Sequence, residues 1–502
     1  MKRFMLTAAA LTFGLFAYAQ DIPGSPTAGY VAPLPGAGAG ANTGLSEQYG
    51  NAQRVRVRQA GTEQSVYTRQ DNGSGTGGNM AEVIQTGSVQ ASSGFRNAAE
   101  VLQSGTTNSS LTRQEGDLNN AVTRQGQNND ASSNNKAYIR QGVADQAEGN
   151  RAAIDQDGDG NLARTRQTYD NSDAWTIQNG IANKSMINQN AGPNQTDGHS
   201  GYNFQLGEGN ESTIMQSGNG GRNMAEAVQV GDFNQAKQTQ VTSASAGQDG
   251  NRASVLQGFS ADANLSPVAI NRSVTTEAFS RFNSYQVDPL PALWYTPPPT
   301  TEGNAAKQEQ YGQGNEAEIW QIDGTVDGAS YAEQIQAVGS SDNDAYIGQG
   351  HWFDGEADNY AKQYQEGAGN FAGINSSGSG QKVLQDQRGN DNNALTHQVG
   401  KDHRANTHQR GNQNDGVIGQ RGAGNKALLV QYDGQSYTIQ QNLNVGAADF
   451  TVGGNQADVL QLGPNGDFDA DAILCDFEDP MNLDMNFNVP MANTPDICTD
   501  CN

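Results

Sequence analysis

Asp155, Asp157 and Asp159 alternate ahead of Gly160, the spacing at which the front half of a calcium-binding loop presents its carboxylates. The twelfth position of such a loop needs a bidentate glutamate, and Arg166 stands there, so a strand and its turn are the better reading. Asp467, Asp469 and Asp471 repeat the spacing with Glu478 at the last ligand position, but Ala472 replaces the glycine that the loop turn requires. An acidic, solvated tail is expected there instead. Cys498 and Cys501 make a Cys-x-x-Cys pair with only Cys475 as a third thiol, one ligand short of a closed zinc site, so a disulfide is the preferred reading. His199 and His351 stand apart, whereas His397, His403 and His408 gather near residue 400, with His397 and His408 expected on a solvated face. No Ser/His/Asp, paired-carboxylate or phosphate-loop constellation has a supporting context. The sequence therefore predicts no enzyme, no metal site and no cofactor.

Amide chemistry dominates the chain instead. Its 502 residues could form several cored domains, but 34% hydrophobic residues, 7% aromatic residues and 62 glycines leave too little to fill them. Only 17% of residues are charged, and the polar surplus is Asn, Gln, Ser, Thr and Gly, which favours β-assembly over disorder by charge repulsion. A net charge of -25 opposes binding to phosphate backbones and anionic lipid, so no specific nucleic-acid partner is expected. Lys2 and Arg3, the apolar run from Phe4 to Phe16, and Ala17-Tyr18-Ala19 read as a secretory signal peptide cut after Ala19. That run is too short for a membrane span and no later stretch approaches spanning length.

The elements that would position any site are short repeats. Asn79-Met80-Ala81-Glu82-Val83-Ile84-Gln85 recurs at Asn97 to Gln103, Asn119 to Gln125, Asn135 to Gln141, Asn150 to Gln156, Asn161 to Gln167 and Asn183 to Gln189. Further copies run from Asn210 to Gln216, Asn223 to Gln229, Asn234 to Gln240 and Asn251 to Gln257. After a break come Asn304 to Gln310, Asn315 to Gln321, Asn343 to Gln349, Asn359 to Gln365, Asn392 to Gln398, Asn414 to Gln420, Asn425 to Gln431 and Asn455 to Gln461. Variant copies begin at Gln53, Gln64, Asn108, Ser172, Ser330 and His403. The consensus is Asn-x-Ala-x-β-x-Gln with Gly close behind, and the tightest starts are eleven residues apart, as from Asn414 to Asn425.

All four consensus positions share one parity, so an extended strand projects them to one face, whereas a helix would scatter them. The other parity is expected to face solvent, including Glu82, Glu100, Glu226 and Glu318 and the arginines Arg54, Arg56, Arg58, Arg69, Arg113, Arg124, Arg140 and Arg166. Those arginines could hold acidic polysaccharide or extracellular DNA, although charged gatekeepers against edge pairing are the simpler reading. Gly and Asn/Asp clusters supply the turns. Such a strand cannot core itself and must stack on its copies, two units per rung. The expected fold is all-β, a stacked strand-turn-strand β-solenoid with amyloid-like packing. Inward Asn and Gln would form ladders that leave only the terminal rungs unsatisfied. The open ends would be templates for another chain.

The motif Asn-x-Ala-x-β-x-Gln-x-Gly with its Gly/Asn turn resembles the repeat of curlin, the subunit of bacterial curli amyloid. The resemblance implies self-association into extracellular fibres on a Gram-negative cell surface and a role in biofilm matrix and adhesion. It also implies a curli-type secretion pore and a nucleator as partners, with matrix polysaccharide as a further candidate. The ladder roles fall to Asn79, Gln85, Asn97, Gln103 and the matching pairs. The chain divides into a signal peptide (1–19), a Pro/Gly-rich leader (20–47), a repeat block (48–258), a proline-containing insertion (259–303), a second block (304–463) and an acidic tail with the three cysteines (464–502). The insertion is expected to act as a hinge or loop between the blocks. The rival to a fibre subunit is a monomeric surface adhesin binding glycan or another ligand through its outward face.

Overall fold

A computed structural model describes residues 41–463, apart from 74, 88–95, 128–131, 143–147, 193–197, 220, 243–248, 259–302, 322–329, 351–357 and 444–451. The signal peptide, most of the leader, the insertion, His351, the aspartates from Asp467 and the three cysteines lie outside the described residues.

Among the described residues the period-two pattern yields thirty strands in two sheets of fifteen, the odd-numbered strands in one and the even-numbered in the other. Every pairing is parallel and joins a strand to the next but one, so the chain winds as a β-solenoid with two strands per turn. In the first turn β1 (Thr43–Tyr49) pairs with β3 (Ser65–Asp71), Thr43 beside Ser65 and Gln48 beside Gln70. The same register recurs where β2 (Arg54–Ala60) meets β4 (Met80–Thr86), Val57 beside Val83 and Gln59 beside Gln85. Like residue therefore stacks on like residue. Between the sheets lie the small third position and the branched fifth, as in the buried cluster of Ala121, Ala137, Ile139, Ala152, Ile154 and Ala163. Alanine at the third position lets the sheets approach closely, and the fifth residue fills the remaining gap.

The insertion interrupts neither sheet. β16 (Gln235–Thr242) pairs with β18 (Ala305–Gln313), and β17 (Arg252–Gln257) with β19 (Glu316–Gln321), in the same register as strands joined by a few residues. The two repeat blocks are one solenoid, not two bodies joined by a hinge. A long connection is tolerated here because closure entropy grows only slowly with length. The first strand also starts inside the stretch assigned to the leader, at Thr43. Four further strands escape the consensus: β13 (Ser200–Glu208), β23 (Phe371–Ser379), β24 (Lys382–Arg388) and β29 (Ser436–Gln441). They are headed by His199, Asn370, Gln381 and Gln435, and Gly201, Val383 and Tyr437 replace the alanine. Parallel pairing needs only backbone groups, so neighbouring rungs hold these variants in register.

Two expectations about the outward parity fail. Glu82, Glu100, Glu226 and Glu318 are buried, at 6%, 0%, 0% and 2% exposure. In-register neighbours on one face are a single strand spacing apart, so long side chains of adjacent rungs cover the carboxylates. Arg56 lies 3.4 Å from Glu82, Arg124 lies 3.6 Å from Glu100, and the Ser254 hydroxyl donates to Glu226 at 2.9 Å. His397 is buried on the same outer side, while His408 is half-buried.

The arcs between strands depend on left-handed backbone. Gly158, Gly180 and Gly207 stack in successive turns with φ of 102°, 126° and 126°. A Cβ on Gly180 would meet the Gly207 carbonyl oxygen at 2.0 Å, whereas one on Gly160 (φ 69°) would meet nothing within 4 Å. Gly160→Ala should cost about 1 kcal/mol, the positive-φ penalty alone, and Gly180→Ala about 3 kcal/mol or more, since backbone must shift as well. Denaturant midpoints of the two monomeric variants check this; equal losses would contradict the stacked-arc geometry.

Candidate functional site

The candidate site is the interior itself. Gln59, Gln85, Gln114, Gln141, Gln167, Gln189, Gln216 and Gln240 form an unbroken ladder in the even sheet, each Nε2 donating to the next Oε1 at 2.8–3.0 Å. It continues without a gap through Gln310, Gln336, Gln365, Gln387, Gln409 and Gln431 to Gln461, at 2.8–3.1 Å. The odd sheet runs from Gln48 through Gln70, Gln103, Gln125, Gln156, Gln178, Gln205, Gln229, Gln257 and Gln321 to Gln349, at 2.7–3.0 Å. The amides from Gln59 and Gln70 onward also donate across the interior to the carbonyl of the residue that opens a strand of the opposite sheet, as where Gln85 Nε2 donates to the Ser65 carbonyl at 3.1 Å. An amide N has two hydrogens, so within the ladder one runs to the next rung and one to the other sheet.

The asparagines stack with the opposite polarity. Asn161 donates its backbone N–H and its Nδ2 back to Oδ1 of Asn135, each at 3.0 Å, and Asn183 does the same to Asn161 at 3.0 and 3.1 Å. Nδ2 of Asn161 also reaches the Asp157 carbonyl four residues earlier, at 3.0 Å, closing its own arc. Equivalent bonds join Asn119 to Asn97 and Asn150 to Asn119 in the odd sheet, and Asn135 to Asn108 and Asn210 to Asn183 in the even one. Asn414 donates to Asn392 at 2.9 Å, Asn315 to Asn251 at 3.2 Å, and the Asn108 N–H to Asn79 at 2.9 Å. Asn223 and Asn425 accept the backbone N–H of Asn251 and Asn455 at 2.9 and 3.0 Å. In all of these the asparagine oxygen takes the N–H that opens the next strand.

What this position needs is an acceptor, not asparagine as such. Ser172 Oγ accepts from His199 N–H at 3.3 Å, and His199 Nδ1 accepts from Asn223 N–H at 3.3 Å. His403 Nδ1 serves Asn425 in the same way at 3.2 Å, with its Nε2 against the Val399 carbonyl at 3.1 Å. These contacts assign the neutral imidazole with the proton on Nε2. Burial pushes His199 down to about 4, His397 likewise, and lowers His403.

A further ladder escapes the consensus. Gln238, Gln308, Gln334, Gln363 and Gln385 occupy the fifth position, where branched residues are the rule, and each donates to the next at 2.9 Å. Its signal was a recurring Gln-x-Gln, as in Gln308-Glu309-Gln310 and Gln363-Tyr364-Gln365. The ladders also have interior faults, contrary to the expectation that only terminal rungs go unsatisfied. Ser376 stands in the glutamine position between Gln349 and Gln398, and neither its Oγ nor the Gln398 Oε1 has a hydrogen-bond partner among the described residues. The Asn234 Oδ1 and Asn304 Nδ2 are likewise unpartnered where the insertion joins the solenoid. Chain continuity supplies the other contacts of those rungs, so the fold absorbs the loss.

The outward candidates do not converge. Asp155, Asp157 and Asp159 lie along one strand, β9 (Arg151–Asp159), rather than in a loop. Burial raises the Asp155 carboxyl, which accepts from the Trp175 indole at 3.4 Å, while hydrogen bonds from Ser133 and Asn134 hold Asp159 low. Arg113, Arg140 and Arg166 stack in register on the even sheet, the same sheet as Arg54, Arg56 and Arg58. Arg69 and Arg124 sit on the odd one, 5.7 Å over the Tyr49 ring and 3.6 Å from Glu100. The arginines expected to face solvent are therefore split between two faces.

Ser376→Gln should complete the odd-sheet ladder and raise stability by about 1 kcal/mol, because it gives a buried acceptor its donor. Gln85→Ala should cost about 3 kcal/mol by stranding Gln59 and Gln114 and opening a cavity, while Thr86→Ala on the exposed side stays within about 0.5 kcal/mol. Urea midpoints of the monomers decide both. The histidines predict acid sensitivity: their folded pKa lies below the unfolded value, so stability is complete above pH ~6.5 and falls as pH drops toward 4. For His199 the loss at pH 5 is about 2 kcal/mol, and His199→Asn should remove that share of the pH dependence while preserving the acceptor. An unchanged slope between pH 7 and 5 would contradict a His199 held neutral by burial.

No protein-family model and no curated protein sequence matches this chain, so the site rests on its own geometry.

Proposed function

We propose that this chain is a structural subunit of extracellular, curli-like fibres that serve in biofilm matrix and cell adhesion. The observation that carries the reading is the pair of open rungs. β1 and β2 at one end and β29 with β30 (Gln456–Leu462) at the other are the most exposed strands, each with one edge unpaired among the described residues. The ladder polarity makes these ends complementary. Gln48 and Gln59 donate inward, leaving their Oε1 atoms toward the open end, and Gln441 and Gln461 receive from Gln420 and Gln431 with no further described glutamine to donate to. A second chain laid with its first rung on this last rung would continue both sheets and both glutamine ladders. Laid head to head, it would set acceptor against acceptor. The curlin-like repeat supports the same reading, and with it export through a dedicated pore, a nucleator and contact with matrix polysaccharide.

Protein beginning at Gln20, diluted out of denaturant, should polymerise after a lag set by the repulsion of chains carrying net charge -25. Preformed fibres should remove the lag, salt should shorten it, and fibre diffraction should give ~4.7 Å and ~10 Å spacings. A chain that stays monomeric at high concentration, unaffected by seeds, would overturn the proposal and favour the monomeric adhesin.

A further inference from the structure

The two end rungs break the pattern of the repeat in complementary ways. Alanine is the rule at the third position, yet β29 has Tyr437 there, 41% exposed at the open end. Tyr437 stands with Ile439, Ala457 and Val459 in the slot left between β29 and β30. Its neighbour one rung back is Gly416 of β27 (Asp415–Ala423). Glycine holds the third position in just two other described strands, as Gly201 in β13 and as Gly44 in β1, the first strand of the solenoid. A tyrosine at a position sized for alanine thus has one glycine beside it, and the far end of the same chain presents another. Charge is matched in the same way. β2 carries Arg54, Arg56 and Arg58 on its outer side, whereas β30 carries the exposed acid Asp458 on its outer side.

We infer that the last rung of one chain is a socket for the first rung of a second copy, in a single register fixed by Tyr437 over Gly44 and Asp458 beside Arg56. This deepens the fibre reading and rests on it. Continuing the interior register sets β1 of the incoming copy on β29 and its β2 on β30, with Gln48 on Gln441 and Gln59 on Gln461. Counting back from those glutamines, Gly44 falls on Tyr437 and Arg56 on Asp458. The phenol side chain then has a glycine on either side, Gly416 and Gly44. Arg56 already lies 3.4 Å from Glu82 one rung inward, and its guanidinium has donors enough for a second carboxylate. The resulting column of alternating charge inverts one inside the chain, where Glu333 lies between Lys307 and Lys362 at 3.0 and 3.3 Å at the same strand position. Exchanging the sheets, with β1 on β30 and β2 on β29, would put Leu45 on Asp458 and Val55 on Tyr437 and lose both matches.

Seeded elongation of the chain from Gln20 tests the joint. Asp458→Arg should slow it about tenfold or more at low salt by setting like charge on Arg56, and rising salt should shrink the deficit. The same substitution lowers the net repulsion between chains, so control by overall charge alone predicts faster growth instead. Gly44→Val should also slow elongation about tenfold or more by overfilling the joint, although a Cβ at that position meets nothing closer than 3.7 Å within its own chain. Adding Tyr437→Ala to Gly44→Val should recover most of the lost rate. Wild-type growth with both single variants elongating equally fast overturns the joint and leaves the fibre reading standing; a wild-type chain that stays monomeric overturns both. A mixture of Thr438→Cys and Leu45→Cys chains, each with Cys475, Cys498 and Cys501 replaced by serine, gives an answer independent of rate. Those two positions would lie one strand spacing apart across the joint, within disulfide reach. Oxidised fibres should contain the mixed dimer. Dimers of one variant alone, or no disulfide because another segment occupies the last rung, overturn the inference.

Discussion

A carboxamide buried between two sheets must both donate and accept, and in this chain its own copy a rung away answers it in both directions while its second N–H goes to a backbone carbonyl. Everything else in the structure follows from that requirement. It fixes the register, because a slip of one residue would turn the glutamines out and break every ladder together. It makes the pairing parallel, since only parallel, in-register strands set Gln59 beside Gln85 and Gln85 beside Gln114. The low apolar content is then sufficient: alanine and one branched residue per strand close the space that the ladders leave.

The glutamine and asparagine rows divide the work. Glutamine, at the end of a strand, links rungs forward and secures the carbonyl that opens a strand of the opposite sheet, whereas asparagine, at the head, links rungs backward and closes the arc that delivers it. Their opposed polarities oppose the two rows of amide dipoles, and they give the two ends of the solenoid matching but unlike chemistry. The head position tolerates serine or histidine because an acceptor alone suffices. The glutamine position is less forgiving: serine at 376 leaves atoms on two rungs unpartnered.

The even and odd sheets face different surroundings although their repeats look alike in sequence. Lys307 and Lys362 flank Glu333 at 3.0 and 3.3 Å on the even side, and against the pull of burial the hydrogen bonds from His408 and from Arg410, the latter at 2.7 Å, keep the Asp386 carboxyl far below its usual range. Such half-buried networks pair charges across neighbouring rungs and leave a polar surface. The odd side, which has ion pairs of its own, adds a run of aromatic and aliphatic residues from Tyr202 to Val417.

Taken alone, the sequence determined the strand, its inward face, the turn glycines and the stacking of copies, because a period of two in side-chain direction is a local property of extended backbone. It also placed the ladder residues from Asn79 and Gln85 to Asn425 and Gln431. Only the tertiary structure decided what depends on neighbours from other rungs. Strands such as β13 and β23 are held by pairing rather than by motif, and the fifth-position glutamines find each other only because five even-sheet strands happen to be adjacent. Whether Glu226 or His397 meets solvent is likewise settled by the side chains of neighbouring rungs, and no pattern within a single strand carries that information. The continuity of the solenoid past residue 258 has the same origin, since parallel pairing joins strands by their backbone and is indifferent to how much chain lies between them.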